Sequence, residues 1–217
     1  MPIQFPPTVI ETGAIKQPRE VMHAVRAIDG SRYVVAMSGG APAHRATLVA
    51  GMFEQMRANR DWSFMPIDDV YQRYVGRAAP ADRSLAGVLG MLFDIGGGTY
   101  RMTTPDGRTR DLKPVSIRQG YTDRSAFVDA LAKSPAKLMT TLQALSLTNP
   151  ETTVFAIDAD ASPGRGVRRG AGDPLWDLFN MLVHNPTDVR FIVTGKEANK
   201  LLPPSAPTGR IQAIELR

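Results

Sequence analysis

The sequence has no cysteine and only three histidines, and both scarcities exclude kinds of site. Without cysteine there is no disulfide, no thiolate nucleophile and no cysteine-ligated metal. His23, His44 and His184 are far apart in the chain, so a zinc site is not expected. No apolar run approaches the roughly 18 residues that a membrane helix needs, and the first residues lack the pattern of a signal peptide. We therefore expect a cytoplasmic protein with no membrane contact.

The charge balance is modest. Lys and Arg number 26 and Asp and Glu number 21 among 217 residues, which gives a net charge of +5. A nucleic-acid-binding protein more often shows a concentrated basic face, whereas the densest basic cluster here, Arg165, Arg168 and Arg169, is set among glycines. We expect a protein partner, or other domains of a larger assembly, and no nucleic acid.

Predicted strands and helices alternate along the chain. Apolar runs predict strands at 33–37, 62–67, 152–157, 189–193 and 211–216. Helical spacing predicts helices at 18–28, 43–59, 85–93, 125–147 with a break near 134–135, 173–182 and 197–202. A turn at 105–107 predicts a β-hairpin insertion at about 99–118. This pattern predicts the α/β class: an extended segment at 1–17, then one domain at 18–217, a three-layer sandwich with a mostly parallel central sheet.

The stretch 33–48, YVVAMSGGAPAHRATL, is the first candidate site. A strand that breaks at Gly39 and Gly40 and continues as a helix is where phosphate is often bound, because the first N–H groups of a helix lack partners. When the pattern G-x-x-x-x-G-K-[ST] is placed with its first glycine at Gly39, the length and the context fit. The alternative is an ordinary strand–turn–helix connection.

The defining side chains of that pattern are replaced. His44 stands at the second glycine and Ala46 at the hydroxyl position, while Thr47 offers a hydroxyl one residue later. Arg45 stands at the lysine position and is a forked donor rather than a compact ammonium group.

Two later strands end in chemically useful residues. The stretch TVFAIDADAS places Asp158 at the end of a buried strand, with Ala159 and Asp160 after it. An aspartate at the carboxyl edge of such a sheet can help to hold magnesium; alternatively, Asp158 caps a loop or pairs with a nearby arginine. The strand VRFIVTGKE brings Thr194 and Lys196 to the same edge. We expect the strand before Ser38 to lie next to the strand that ends at Asp158.

In this order the motifs resemble the core of P-loop NTPases of the STAND/NACHT group, which are relatives of AAA+ ATPases. The resemblance covers about residues 18–217. It assigns Gly39, Gly40, Arg45 and Thr47, with His44 among them, to the Walker A region. It assigns Asp158, as magnesium ligand, and Asp160 to the catalytic Walker B region, and Thr194 and Lys196 to the third motif.

The resemblance implies ATP or GTP with Mg²⁺ as ligand, or no cofactor at all. The departures at positions 44, 45, 46 and 159 imply a nucleotide-sensing or catalytically inactive module that acts as a switch or scaffold. If such a module were active, it would hydrolyse ATP or GTP weakly.

A rival resemblance lies at Asp94–Thr99, DIGGGT. It is similar to the phosphate loop of the actin-like fold, and the ADR at 81–83 is similar to type III pantothenate kinases. It implies a phosphotransferase. The helical periodicity of residues 84–93 opposes it, because that loop should follow a strand. A protein-interaction domain without nucleotide is the third possibility.

Overall fold

The structure is a computed structural model of the whole chain. It describes residues 19–30, 32–57, 62–66, 84–92, 100–103, 109–112, 124–148, 152–160, 170–185, 187–207 and 209–216. The predicted hairpin turn, the DIGGGT stretch, the arginine cluster at 165–169 and the segment 1–17 lie outside these residues.

Parallel strands form the centre of the described structure. The strands of the larger sheet are β1 (Val34–Gly39), β2 (Trp62–Pro66), β5 (Thr152–Asp158), β6 (Val189–Gly195) and β7 (Ile211–Leu216). Among the described residues this sheet has five strands, in the order β2-β5-β6-β1-β7, and every pair is parallel. A separate antiparallel pair consists of β3 (Tyr100–Thr103) and β4 (Thr109–Leu112). The α/β class with a parallel central sheet is confirmed.

The strand order corrects one expectation. β1 does not lie next to β5, because β6 is inserted between them and pairs with both. Adjacency in the sheet is decided by packing between residues far apart in the sequence, which motif order does not report. The carboxyl ends of β1, β6 and β5 therefore follow one another along one edge.

Helices cover both faces of the sheet. They are α1 (Arg19–Asp29), α2 (Pro42–Arg57), α3 (Leu85–Leu92), α4 (Arg124–Ala132), α5 (Pro135–Thr148) and α6 (Pro174–Leu182), followed by a 3₁₀ helix (Ala198–Leu201). The break near 134–135 is confirmed: α4 and α5 are separate, and Ser134 Oγ accepts the Lys137 N–H at 3.3 Å. Among the described residues, no helix has both the length and the apolarity that crossing a bilayer requires.

Two buried clusters explain why the sheet is a middle layer. α1 and α2 pack on one face, against strand residues such as Val35, Met37 and Ile192. α3 to α6 and the 3₁₀ helix pack on the other face, against Val34, Ala36 and other alternate residues. Successive side chains of a strand point to opposite faces, so strands that are apolar throughout need cover on both sides. The three-layer sandwich is confirmed.

Candidate functional site

At the carboxyl edge of the sheet, the connections that follow β1 and β6 leave on opposite faces. From β1 the chain passes to the face that carries α2, whereas from β6 it passes to the 3₁₀ helix on the opposite face. Neighbouring strands whose connections leave on opposite faces form the crevice in which open α/β sheets bind ligands. We call this place the carboxyl-edge crevice. Topology alone makes it the candidate site.

The turn from β1 to α2 is tight and depends on glycine. Gly39 and Gly40 have φ angles of 88° and 65°, which lie in the left-handed region that other residues seldom adopt. A Cβ built on Gly39 would lie 2.8 Å from the Leu216 carbonyl oxygen of β7. Glycine is thus required at position 39 both by the backbone angles and by the close approach of the next strand.

This turn is shorter than a phosphate loop, which corrects the length match. α2 begins at Pro42, so that Gly40 and Ala41 alone connect it to β1. Arg45 is the fourth residue of the helix, and its N–H already donates to the Ala41 carbonyl at 3.0 Å. The stretch 38–47 is therefore mostly strand end and helix start, in agreement with the alternative of a strand–turn–helix connection.

Arg45 turns its side chain back under the glycine turn. Its side chain is 3% exposed. Nη1 donates to the carbonyl of Gly40 at 2.9 Å and lies 3.4 Å from that of Gly39. Two carbonyl oxygens of the glycine turn thus face Nη1 of this guanidinium, whereas a phosphate loop turns its backbone N–H groups inward to an anion.

The other end of the guanidinium meets both predicted acids. Arg45 Nη2 donates to Asp160 Oδ2 at 2.8 Å and lies 3.7 Å from Asp158 Oδ1. Asp158 Oδ1 in turn accepts the Asp160 N–H at 2.9 Å, so that Asp158 does cap a loop. The expected pairing of Asp158 with a neighbouring arginine takes another form, because Arg45 comes from a distant part of the chain. The structure therefore brings the start of α2 and the loop after β5 together.

The third motif joins the same cluster through its backbone. The Lys196 N–H donates to Asp160 Oδ2 at 2.8 Å, and the Thr194 carbonyl accepts the Ala159 N–H at 2.8 Å. The Thr194 side chain is fully buried, and Lys196 is exposed. Asp160 therefore contacts both the first turn of α2 and the residue that follows β6.

Two predicted ligand residues contact the start of α2 and the glycine turn. The Thr47 hydroxyl donates to the Ala43 carbonyl within α2 at 2.9 Å. His44 is exposed in the first turn of α2, and a Cβ built on Gly40 would lie 3.3 Å from its Nδ1.

A contact between Ser38 and Asn199 in the crevice was not predicted from the sequence. The buried Ser38 Oγ accepts the N–H of Asn199 at 2.7 Å. Asn199 Nδ2 donates to Glu215 Oε1 at 3.1 Å, which ties the 3₁₀ helix to both β1 and β7. Nothing in the sequence around Asn199 signals this role, because it depends on three segments that meet only in the fold.

The residues of the crevice do not fit a magnesium–nucleotide complex. The Thr47 hydroxyl bonds within its own helix, and the acid expected to hold Mg²⁺ lies 3.7 Å from a guanidinium. In the part of the chain that the structure describes, no three His, Cys, Asp or Glu residues group in a way that could hold a metal ion.

A second polar cluster lies at the opposite, amino edge of the sheet. The Arg190 and Arg210 guanidinium groups lie over the Tyr33 ring, with Cζ 4.4 and 5.3 Å from its centroid. Arg190 donates to the Thr187 carbonyl and Arg210 to that of Val183. Burial lowers the pKa of Arg190, and interactions with Tyr33 and Asp188 partly oppose this. These contacts hold strand starts and a loop together, so they stabilise the fold.

Comparison of the chain with family models, curated proteins and solved structures found no match. The resemblance to P-loop NTPases therefore depends on the sequence motifs.

Proposed function

We propose that this chain is a catalytically inactive P-loop NTPase-like module that acts as a switch or scaffold in a larger assembly. One observation carries the proposal: the cation at the phosphate-binding position is already bound. Arg45 donates to Asp160 Oδ2 at 2.8 Å and to the Gly40 carbonyl at 2.9 Å.

Electrostatics explains why this arrangement opposes catalysis. Enzymes that transfer phosphoryl groups work almost entirely by positioning the substrate and by stabilising its negative charge. Here the positive charge is neutralised by Asp160, and the neighbouring Asp158 is shared with the same guanidinium. Hydrolysis would require both charges to be released before nucleotide and metal could use them.

Phosphate release from ATP and GTP, in the presence of Mg²⁺, tests the inactive state. We expect wild type and Asp158→Asn to release phosphate at the same background rate, because Asp158 is paired within the protein. Mg²⁺-dependent release by wild type that Asp158→Asn abolishes would overturn the proposal.

Nucleotide titration separates a switch from a scaffold. A switch binds nucleotide, and Arg45→Ala weakens that binding in a variant that remains folded. A scaffold binds no nucleotide and instead retains a protein partner in pull-down experiments.

The phosphotransferase alternative is disfavoured by one element. α3 ends at Leu92, two residues before Asp94, so that a helix stands where the actin-like loop would need a strand. Nucleotide binding that is lost in Gly97→Val and kept in Arg45→Ala would favour that alternative.

A further inference from the structure

Two donors from separate segments converge on one oxygen atom in the carboxyl-edge crevice. Arg45 Nη2 and the Lys196 N–H both donate to Asp160 Oδ2, each at 2.8 Å. A charged donor and a backbone N–H that meet at one point form the type of site that proteins use to hold an oxyanion. In this structure the oxyanion is the side-chain carboxylate of Asp160.

The two partners of the ion pair differ in their access to water. The Arg45 side chain is 3% exposed, whereas the Asp160 side chain is 39% exposed. The carboxylate therefore lies at the mouth of the crevice, above a buried cation. Water reaches the Asp160 carboxylate, whereas Arg45 is buried and bound to the Gly40 carbonyl at 2.9 Å.

We propose that Asp160 is an autoinhibitory latch, a tethered carboxylate that occupies the site on Arg45 and Lys196 that a phosphate group would otherwise take. The ligand class is a phosphate oxyanion, either inorganic or the phosphate chain of a nucleotide. This inference rests on the proposed function, since it explains how the module is kept unresponsive. A phosphate oxygen that displaces Asp160 would accept from the same two donors.

Tethering makes the latch a strong competitor. A group attached to the protein acts at an effective concentration of about millimolar or higher, because it cannot diffuse away. An external anion binds only to the fraction of molecules in which the carboxylate has turned away, so its apparent affinity is its intrinsic affinity multiplied by that fraction. Removal of the carboxylate should raise the affinity for phosphate without any new contact.

Calorimetric titration of the full chain with inorganic pyrophosphate tests the latch. At low salt we expect Asp160→Ala to bind pyrophosphate at least tenfold more tightly than wild type. Asp160→Asn should fall between them, because its neutral amide oxygen still accepts from both donors but less strongly. Addition of Arg45→Ala to Asp160→Ala should abolish the gain. Equal affinities in wild type, Asp160→Asn and Asp160→Ala would overturn the proposal.

The control variant removes the same charge elsewhere. Asp129 is exposed on α4, on the other face of the sheet, so Asp129→Ala changes the net charge without touching the crevice. A gain in Asp129→Ala equal to that in Asp160→Ala would overturn the latch, because net charge alone would then explain it. If Asp160→Ala does not fold, which circular dichroism reports, Asp160→Asn carries the test, since it keeps an acceptor.

Two further ligands identify the source of the phosphate. If ATP gains affinity in Asp160→Ala more than pyrophosphate does, a nucleotide is the ligand; equal gains indicate the phosphate group alone. A gain for adenosine, which has no phosphate, would overturn the proposal. Hydrolysis by wild type would overturn the proposed function, whereas a missing gain in affinity would overturn the latch alone.

Discussion

Arg45 and Asp160 are 115 positions apart in the chain, and their side chains meet at 2.8 Å. The pair joins the start of α2 to the loop after β5, and Asp160 extends the link to the end of β6 through the Lys196 N–H. Three connections at the carboxyl edge are therefore held by one carboxylate. The same contact that organises the site also neutralises its cation.

Arg45→Ala should destabilise the protein. The change leaves the buried Asp158 without its neighbouring cation and removes the hydrogen bonds to Asp160 and Gly40. Breaking a buried ion pair costs several kcal/mol, and the partial exposure of Asp160 reduces this, so we expect a loss of about 2 kcal/mol. Urea unfolding followed by circular dichroism measures it.

The matched control for that variant is Lys200→Ala. Lys200 and Glu197 form an ion pair in which both side chains are about half exposed. Exposed pairs contribute little, so we expect a change below about 0.5 kcal/mol. A similar loss of unfolding free energy in both variants would mean that Arg45 stabilises the protein no more than a surface charge does.

Gly39→Ala and Gly209→Ala separate backbone strain from steric conflict. The two glycines have nearly the same φ angle, 88° and 90°. A Cβ at Gly39 would lie 2.8 Å from the Leu216 carbonyl oxygen, whereas one at Gly209 would meet nothing within 4 Å. We expect Gly209→Ala to cost about 1 kcal/mol from φ alone and Gly39→Ala at least about 2 kcal/mol more.

The free energy of unfolding of the two glycine variants, measured side by side, is the check. Equal losses of unfolding free energy would show that β7 moves away easily from the glycine turn. The short distance between Gly39 and Leu216 would then not contribute to stability.

Asp173→Ala should weaken the start of α6. Asp173 is the N-cap of this helix, and its buried Oδ1 accepts the Leu175 N–H at 2.9 Å. Loss of such a cap costs about 1 kcal/mol, and burial raises the cost. Thermal unfolding should show a larger decrease for Asp173→Ala than for Ser134→Ala, whose cap bond at the start of α5 is exposed and 3.3 Å long. The reverse order would contradict this account of α6.

The sequence was most informative where hydrophobic periodicity is strong. The five apolar runs became the strands of the parallel sheet, and Pro42 starts α2 one residue before its predicted beginning. Strand order was not predictable in this way. The insertion of β6 between β1 and β5 depends on contacts such as Phe155 against Phe191, whose ring centroids lie 5.5 Å apart.

The sequence predicted which residues lie at the candidate site, but it did not predict which of them bind one another. Motif order brought Gly39, Arg45, Asp158 and Asp160 to the same edge, and the structure places them there. The pairing of Arg45 with Asp160 had no local signal, because the two residues are 115 positions apart. The roles of Ser38 and Asn199 had no local signal, because the bond between them spans 161 positions.

A double-mutant cycle tests the central claim, that Arg45 and Asp160 are bound to each other. The free energy of unfolding is measured for wild type, Arg45→Ala, Asp160→Ala and the double variant. We expect the double variant to lose less than the sum of the single losses, by about 1 kcal/mol or more. Losses that add to within about 0.3 kcal/mol would contradict the account, because they would show that the two side chains do not interact.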